Sequence, residues 1–469
     1  SGDRSIGGVK QNGTDDLSTV LQTGDENTAT VSQSGGDFSL VNQSGESHSA
    51  TVTQDGGATS EVSQFNVFTG SPGNIASVTQ DGASNSTVSQ LGQDNSADVS
   101  QTGDGNVPSP TQGGAPPPEA DYIGDEGNGA SITQDGAGNN SQVTQQADFT
   151  DLIVDQSGDN NLSLVQQGGP RGSSTTDENA DNSVGSVIQT GNDNRSNVVH
   201  RNGDGASFSV SQDSSSEGSL DAFPSNNSDI DMAGTGADVG VIQSGENNTS
   251  DIRQTGGSSS VSVTQRNDNR PAPVAQNSSF VRQNASGASV TVSQDGEGDA
   301  SFVHQQVGAV GSSIGVSQLG EDNDSSVTQS GAGSSVDVYQ QSGAGMTGNG
   351  NFSNVIQSGG TASVLSEQYG AGNRSVIEQS GTAATAEVLQ TSNASPANPN
   401  EGPLPTDPPS NQSHIIQTGN GAYGSVTQDG DDNQSVLRQT SDSDAIVIQT
   451  AIGNDDNFPT NNSFVEQHA

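Results

Sequence analysis

The chain has 469 residues, 26% hydrophobic and 3% aromatic, with 62 Gly and a formal net charge of −45. That composition excludes ordinary domains built on a wide apolar core, and the absence of Cys excludes disulfide frameworks and thiolate metal sites. With 56 Asp and Glu against 11 Lys and Arg, nucleic acid and anionic membranes are poor partners, and no apolar run approaches the ~18 residues of a membrane span.

Low hydrophobicity with high charge usually reads as disorder. A fixed period overrides that reading, because stacked repeats bury a narrow core without collapsing around a wide one. The chain opens on Ser1-Gly2-Asp3, without an initiator Met. This suits a trimmed chain or a mature exported one. Residues 1–10 read as a short N-terminal segment, and the period begins at Gln11. From there Gln closes run after run: Gln22, Gln33, Gln43, Gln54, Gln64, Gln80, Gln90, Gln101, then Gln134, Gln145, Gln156 and Gln166. Steps of ten or eleven residues continue to Gln467, giving about thirty-four runs, with His200 in one Gln position.

Each run reads as a strand. In "NTATVSQ", Asn27, Ala29, Val31 and Gln33 share one face, and Thr28, Thr30 and Ser32 share the other. Gly-x-x-Asn links separate many of the runs, so Gly24, Gly82, Gly92, Gly191, Gly320 and Gly430 are the expected turn glycines. Asn is expected to take the other positive-φ corners. Every Pro is assigned to a long link, from Pro72 and Pro108–Pro118 to Pro459, because Pro cannot donate to a central ladder.

Short strands joined by short turns predict an all-β fold, a parallel β-solenoid of strand–turn–strand rungs about 4.7–4.9 Å apart. Two strands per rung are favoured, with a three-sided coil as the alternative. Residues 11–469 form one continuous solenoid in this reading, with inserted loops at about 102–124, 167–183, 213–236 and 391–411. The links "PSPTQGGAPPPE" and "SPANPNEGPLPTDPP" are expected to project as surface loops. Stacking turns equivalent side chains into ladders, in which each amide donates to one neighbour and accepts from the other. The predicted ladder residues include Gln33, Gln54, Gln80, Gln101, Gln134, Gln254, Gln294, Gln329, Gln379 and Gln428. They also include Asn27, Asn95, Asn194, Asn323, Asn373 and Asn433.

The unit Asn-x-Ala-x-Val-x-Gln followed by x-Gly-x-x-Asn, as in "NSADVSQTGDGN" and "NIASVTQDGASN", resembles the curlin repeat of curli-type functional amyloid subunits. The resemblance covers most of positions 11–467, in an unusually long form with Pro-rich insertions. It implies a secreted, extracellular β-solenoid that joins identical subunits head to tail into cross-β fibres of a biofilm or cell-surface matrix. It also implies a nucleator and an export machinery as partners.

The main alternative is a calcium-binding repeat adhesin, because "DGEGD" (295–299) and "GDDN" (430–433) cluster carboxylates in turns. The period of ten or eleven does not match a nine-residue calcium repeat, so no cofactor is expected beyond diffuse divalent cations in acidic turns. Outward positions such as Ser77, Asp98, Asn197 and Arg438 are too irregular for an ice-binding array. His48, His200, His304, His414 and His468 begin no metal-ligand or triad spacing, so no catalytic or metal residues are assigned and an enzyme is not expected.

Overall fold

The computed structural model describes residues 4–66, 72–112, 127–168, 181–214, 226–267, 276–342, 350–392, 411–430, 432–450 and 461–468. They contain thirty-six β-strands. The chain divides into two units, Ser1–Val241 and Ile242–Ala469. In unit 1, Ile6–Gln11 pairs in parallel with Thr28–Ser34, and Leu17–Thr23 with Phe38–Ser44. Each strand thus pairs with the strand two places along. Unit 2 repeats the rule, as where Ser260–Arg266 pairs with Ser289–Glu297 and Asn277–Gln283 with Ala300–Gln305. Counted in chain order, odd strands build one sheet and even strands the other. Each unit is therefore a parallel β-solenoid with two strands per rung, which settles the choice against a three-sided coil.

Burial alternates along every interior strand, with outward polar residues and inward small or amide ones. The two sheets contribute different inward triads. Odd strands supply an apolar residue with Val and Gln, Ala in early unit 1 (Ala29-Val31-Gln33) and often Val in unit 2 (Val261-Val263-Gln265), and even strands supply Ser-Val-Gln, as in Ser39-Val41-Gln43. In unit 1 the Ala and Val side chains from Ala29 to Val99 form one narrow apolar cluster. Size changes are compensated between rungs. Phe208 fills the space left by Gly185 in the preceding odd strand, where an added Cβ would lie 2.1 Å from the Phe208 ring.

All six predicted turn glycines have positive φ: Gly24 101°, Gly82 107°, Gly92 107°, Gly191 86°, Gly320 108° and Gly430 89°. At Gly24 the next rung also requires the absence of a side chain, since a Cβ would sit 2.0 Å from the Gly45 carbonyl oxygen. The link Asn does not take the second left-handed corner. The residue before it does: Glu26, Asp94, Asp193, Asp322 and Asp432, with φ between 54° and 60°. Asn points inward instead, because its amide is needed to bind the turn. The Gly82–Asn85 link differs in phase: Ser84 takes the buried position and Asn85 opens the next strand facing outward.

Several boundaries differ from the sequence reading. Ile6–Gln11 is already a strand, so part of the expected N-terminal segment belongs to the first rung. The register pairs Gln145 with Gln167, which makes Gln167 and not Gln166 the inward residue. Two strands lie inside expected loops: Val107–Gln112 within 102–124 and Asn226–Ala233 within 213–236. The first holds Pro108 and Pro110, both pointing inward. In these sheets the outward residues donate their N–H to the following rung, as Val107 does to Asn139. Two inward prolines therefore remove donors facing the preceding rung only. The ladder agrees: this strand pairs fully with Asn140–Gln145 but with the preceding strand only at Thr111 and Gln112. The remaining parts of the expected loops, 113–126, 169–180, 215–225 and 393–410, lie outside the described residues, as do Pro170, Pro224, Pro271, Pro273 and Pro459.

Candidate functional site: the amide columns

Four Gln columns run along the two units, one per sheet in each. In the odd sheet of unit 1, Gln11 Nε2 donates to Gln33 Oε1, Gln33 to Gln54, Gln54 to Gln80, and Gln80 to Gln101, at 2.8–3.1 Å. The column continues through Gln134 and Gln156 to Gln189 and Gln212. The even sheet of unit 1 carries Gln22 to Gln167 in the same manner. In unit 2, Gln294 and Gln428 stand in the odd-sheet column, and Gln254, Gln329 and Gln379 in the even-sheet column. Each of these steps donates in chain order, so the amide dipoles align along the stack and polarise one another.

The second Nε2 hydrogen does different work. Gln33 donates it to the Leu17 carbonyl, Gln54 to Phe38, Gln294 to Ser278 and Gln428 to Gln412. Each acceptor is the first residue of a strand, or its near neighbour, in the facing sheet. One amide thus ties rung to rung and sheet to sheet. The resemblance and the period pointed to the first bond and gave no signal for the second.

The Asn side chains form shorter columns at the turns. Asn27 Nδ2 donates to the Thr23 and Gly45 carbonyls, and its Oδ1 accepts from the His48 amide of the next rung. Asn95 accepts from the Asn128 amide and bonds the Leu91 carbonyl. Asn194 reaches Asn161, Thr190 and Ser214. In unit 2 one column joins Asn323, Asn351, Asn373, Asn411 and Asn433 through Nδ2–Oδ1 bonds of 3.0–3.2 Å. The predicted Asn residues therefore occupy two different turn columns. In the other turn column of unit 1, Asp37 plays the Asn part, with Oδ1 accepting from Gly57 and Ala58 at 2.8 Å.

Besides Asp37, three titratable residues occupy column positions. His48 is buried, with Nδ1 accepting from the Asn74 amide and Nε2 against the Ser44 carbonyl. Burial lowers its basicity, and the Ser44 carbonyl partly restores it. His200 replaces Gln in the even column of unit 1, and Met232 follows it in register. Neither His200 nitrogen nor Gln167 Nε2 reaches a hydrogen-bond partner. Burial drives His200 down to about 4, against smaller upward pulls from the Asn202 and Gly203 backbone and from Asp204. Asp299 interrupts the Asn column of unit 2. Its amide donates to Asn277 Oδ1, its Oδ1 accepts two bonds from Asn323 at 3.0 Å, and its Oδ2 has no partner. Burial raises it to about 7, with Asn323 pulling the other way.

Within "DGEGD", Asp295 lies outward on its strand while Asp299 is fully buried, so the two do not converge on one point. Among the described residues no group of three or more His, Asp or Glu is placed to hold a metal ion, and no helix is long and apolar enough to cross a membrane. Sequence reasoning missed the inward serines of the even strands. Ser39, Ser60, Ser86 and Ser141 are buried with unpartnered hydroxyls. Their signal was present in the sequence, because the residue two before the Val is Ser in nearly every second strand and Ala, Gly or a larger apolar residue in the strands between.

Residues 2–35 match the family model of the curlin associated repeat. No curated protein matches the chain.

Proposed function

We propose that this curlin-repeat protein is a secreted structural subunit that polymerises end to end into extracellular amyloid-like fibres of a biofilm or cell-surface matrix. The observation that carries the reading is one hydrogen-bonding pattern repeated from rung to rung, broken in the even Gln column only around His200 and Met232 among the described residues. Interior strands present parallel backbone edges and Gln amides to both neighbours, so a further rung from another copy meets the same bonds as a rung of the same chain. The curlin repeat and the solenoid fit a structural role better than a catalytic one, and identical copies are the partners this pattern suits. Export and nucleation by other proteins belong to the same reading.

The test is electron microscopy and fibre diffraction of the purified full chain after incubation at raised concentration. Continuous fibres with an axial reflection near 4.7–4.8 Å are expected. Particles that remain discrete at all concentrations overturn the reading and favour a solenoid that acts singly.

A further inference from the structure

The outer faces of unit 2 are not alike. The even-sheet face carries Arg253, Arg282, Arg374 and Arg438, in a chain with 11 Lys and Arg in all. Its four outward acids are Asp251, 3.6 Å from Arg253, Glu466, 3.7 Å from Arg438, Glu378, 3.7 Å from His414, and Asp324, so the face is balanced overall where the opposite face is acidic. Arg253, Arg282 and His304 stack in register on successive even strands, a run of bases that no acid interrupts. Arg282 and burial both hold down the basicity of His304, burial more strongly. Arg374 lies over the Phe352 ring at 5.1 Å, and Phe280 and Phe302 stack at 5.2 Å, so the face also offers flat apolar area.

The odd-sheet face of the same unit is its complement. Asp295, Asp337, Glu367, Glu387, Asp429 and Asp444 point outward there, against Arg266. Exposed Leu365, Leu389, Ile446 and Ile448 lie among them.

We propose that the arginine-bearing even face of unit 2 docks side by side on the acidic odd face of unit 2 in a second copy. Both faces belong to the same kind of parallel stack, so their side chains repeat at one axial spacing and charges can meet rung after rung. Packed sheets lie about 10 Å apart, a gap that one Arg and one Asp or Glu reaching from opposite sides can span. Even against even would set the stacked Arg253 and Arg282 against arginine, and odd against odd would oppose acid to acid. The favoured contact is therefore heterologous. It leaves one face of each partner free, so it extends into ribbons and does not close as a dimer.

The test uses two charge-reversed full chains at one fixed ionic strength. One carries Arg253→Glu, Arg282→Glu, Arg374→Glu and Arg438→Glu. The other carries Asp337→Lys, Glu367→Lys, Asp429→Lys and Asp444→Lys. Small-angle scattering gives the cross-sectional radius, microscopy gives the width, and amide exchange at the Gln columns checks the fold. The unmodified chain is expected at multiples of one solenoid width, each variant alone at a single width, and the equimolar mixture at multiple widths again. A single-width unmodified chain, a variant that still associates sideways, or a mixture that stays single overturns the proposal. End-to-end growth is scored separately by length, so its failure is distinguishable from failure of the lateral contact.

Discussion

Asp299→Asn should stabilise unit 2 and flatten its response to pH. Asp299 sits where Asn recurs, between Asn277 and Asn323, with one carboxylate oxygen unpartnered. Its ordinary value of 3.8 is raised to about 7 in the folded chain. The folded state therefore retains a proton that the unfolded chain releases between about pH 4 and 7. Stability is highest below that window and falls as pH rises through it. A shift of about three units corresponds to at most about 4 kcal/mol by pH 8. Replacing the acid by Asn removes the ionisation and supplies an Nδ2 that can reach Asn277 Oδ1, as Asn323 Nδ2 reaches Asp299 Oδ1 at 3.0 Å. That bond adds roughly 1 kcal/mol. Repeat arrays need not unfold as one unit, so the assay is amide exchange over Ala300–Gln305 at pH 4.5, 6 and 8, near the foot of the window, within it and above it. The variant should gain little at the lowest pH and two to three powers of ten in protection at the highest, by the ~1.4 kcal/mol equivalence of each tenfold step. Equal pH slopes in the two proteins would refute the reasoning.

His200→Gln should act at the opposite end of the pH scale. The folded His is held near 4, below its ordinary 6.5, so the unfolded chain binds the extra proton and stability is lost as pH falls from about 6.5 to 4. The shift corresponds to about 3 kcal/mol, and the variant should show no such loss in amide exchange over Arg195–Asn202 between pH 4 and 7; an unchanged slope sinks the assignment. Gln329→Leu leaves Gln305 Nε2 and Gln357 Oε1 without their column partner and should cost roughly 2–4 kcal/mol in denaturant unfolding. Ser60→Ala, which removes a buried hydroxyl that has no partner, should be neutral or stabilising in the same assay, and a matching loss in both variants would contradict the column model. Gly320→Ala should cost at least ~2 kcal/mol, because φ is 108° and the Cβ would lie 2.3 Å from the Ser342 carbonyl oxygen; wild-type stability would show that the turn can shift.

The strand period, the inward triad and the turn glycines were legible because each is a local property repeated many times. The number of strands per rung was equally present, in the alternation of Ala29, Ser39, Ala50, Ser60 and Ala76, but reading every run as one consensus averaged it away. Two strands escaped for chemical reasons. Val107–Gln112 carries Pro108 and Pro110, and a rule against proline in central strands does not distinguish which neighbour loses its donors. Asn226–Ala233 carries Met232 where the pattern expects Gln. With both strands restored, the links 113–126, 169–180, 268–275, 393–410 and 451–460 each follow four strands, which is two complete rungs. The inward place of Asn was legible from the face it shares with Ala, Val and Gln, but the left-handed corner was not, because the polar residue before it tolerates positive φ as well as Asn does.

Reach explains why Gln and Asn keep to separate columns. Gln33 must place one hydrogen on Gln54 in the next rung and the other on the Leu17 carbonyl across the sandwich. Asn27 needs only the Thr23 and Gly45 carbonyls, both within its own corner of the stack. Removing one methylene from Gln33 would leave it short of the facing sheet, and adding one to Asn27 would crowd a corner where Gly24 already leaves no room for a Cβ. The amide bonds are also not secondary to the apolar core. A buried Val contributes about 1.5 kcal/mol, and two net hydrogen bonds per Gln contribute roughly 1–3 kcal/mol. The two terms are comparable in each strand, and both recur with every rung. A chain with few apolar residues can therefore stack stably if its amides are satisfied in two directions, and the column defects at His200 and Asp299 are the places where that condition lapses.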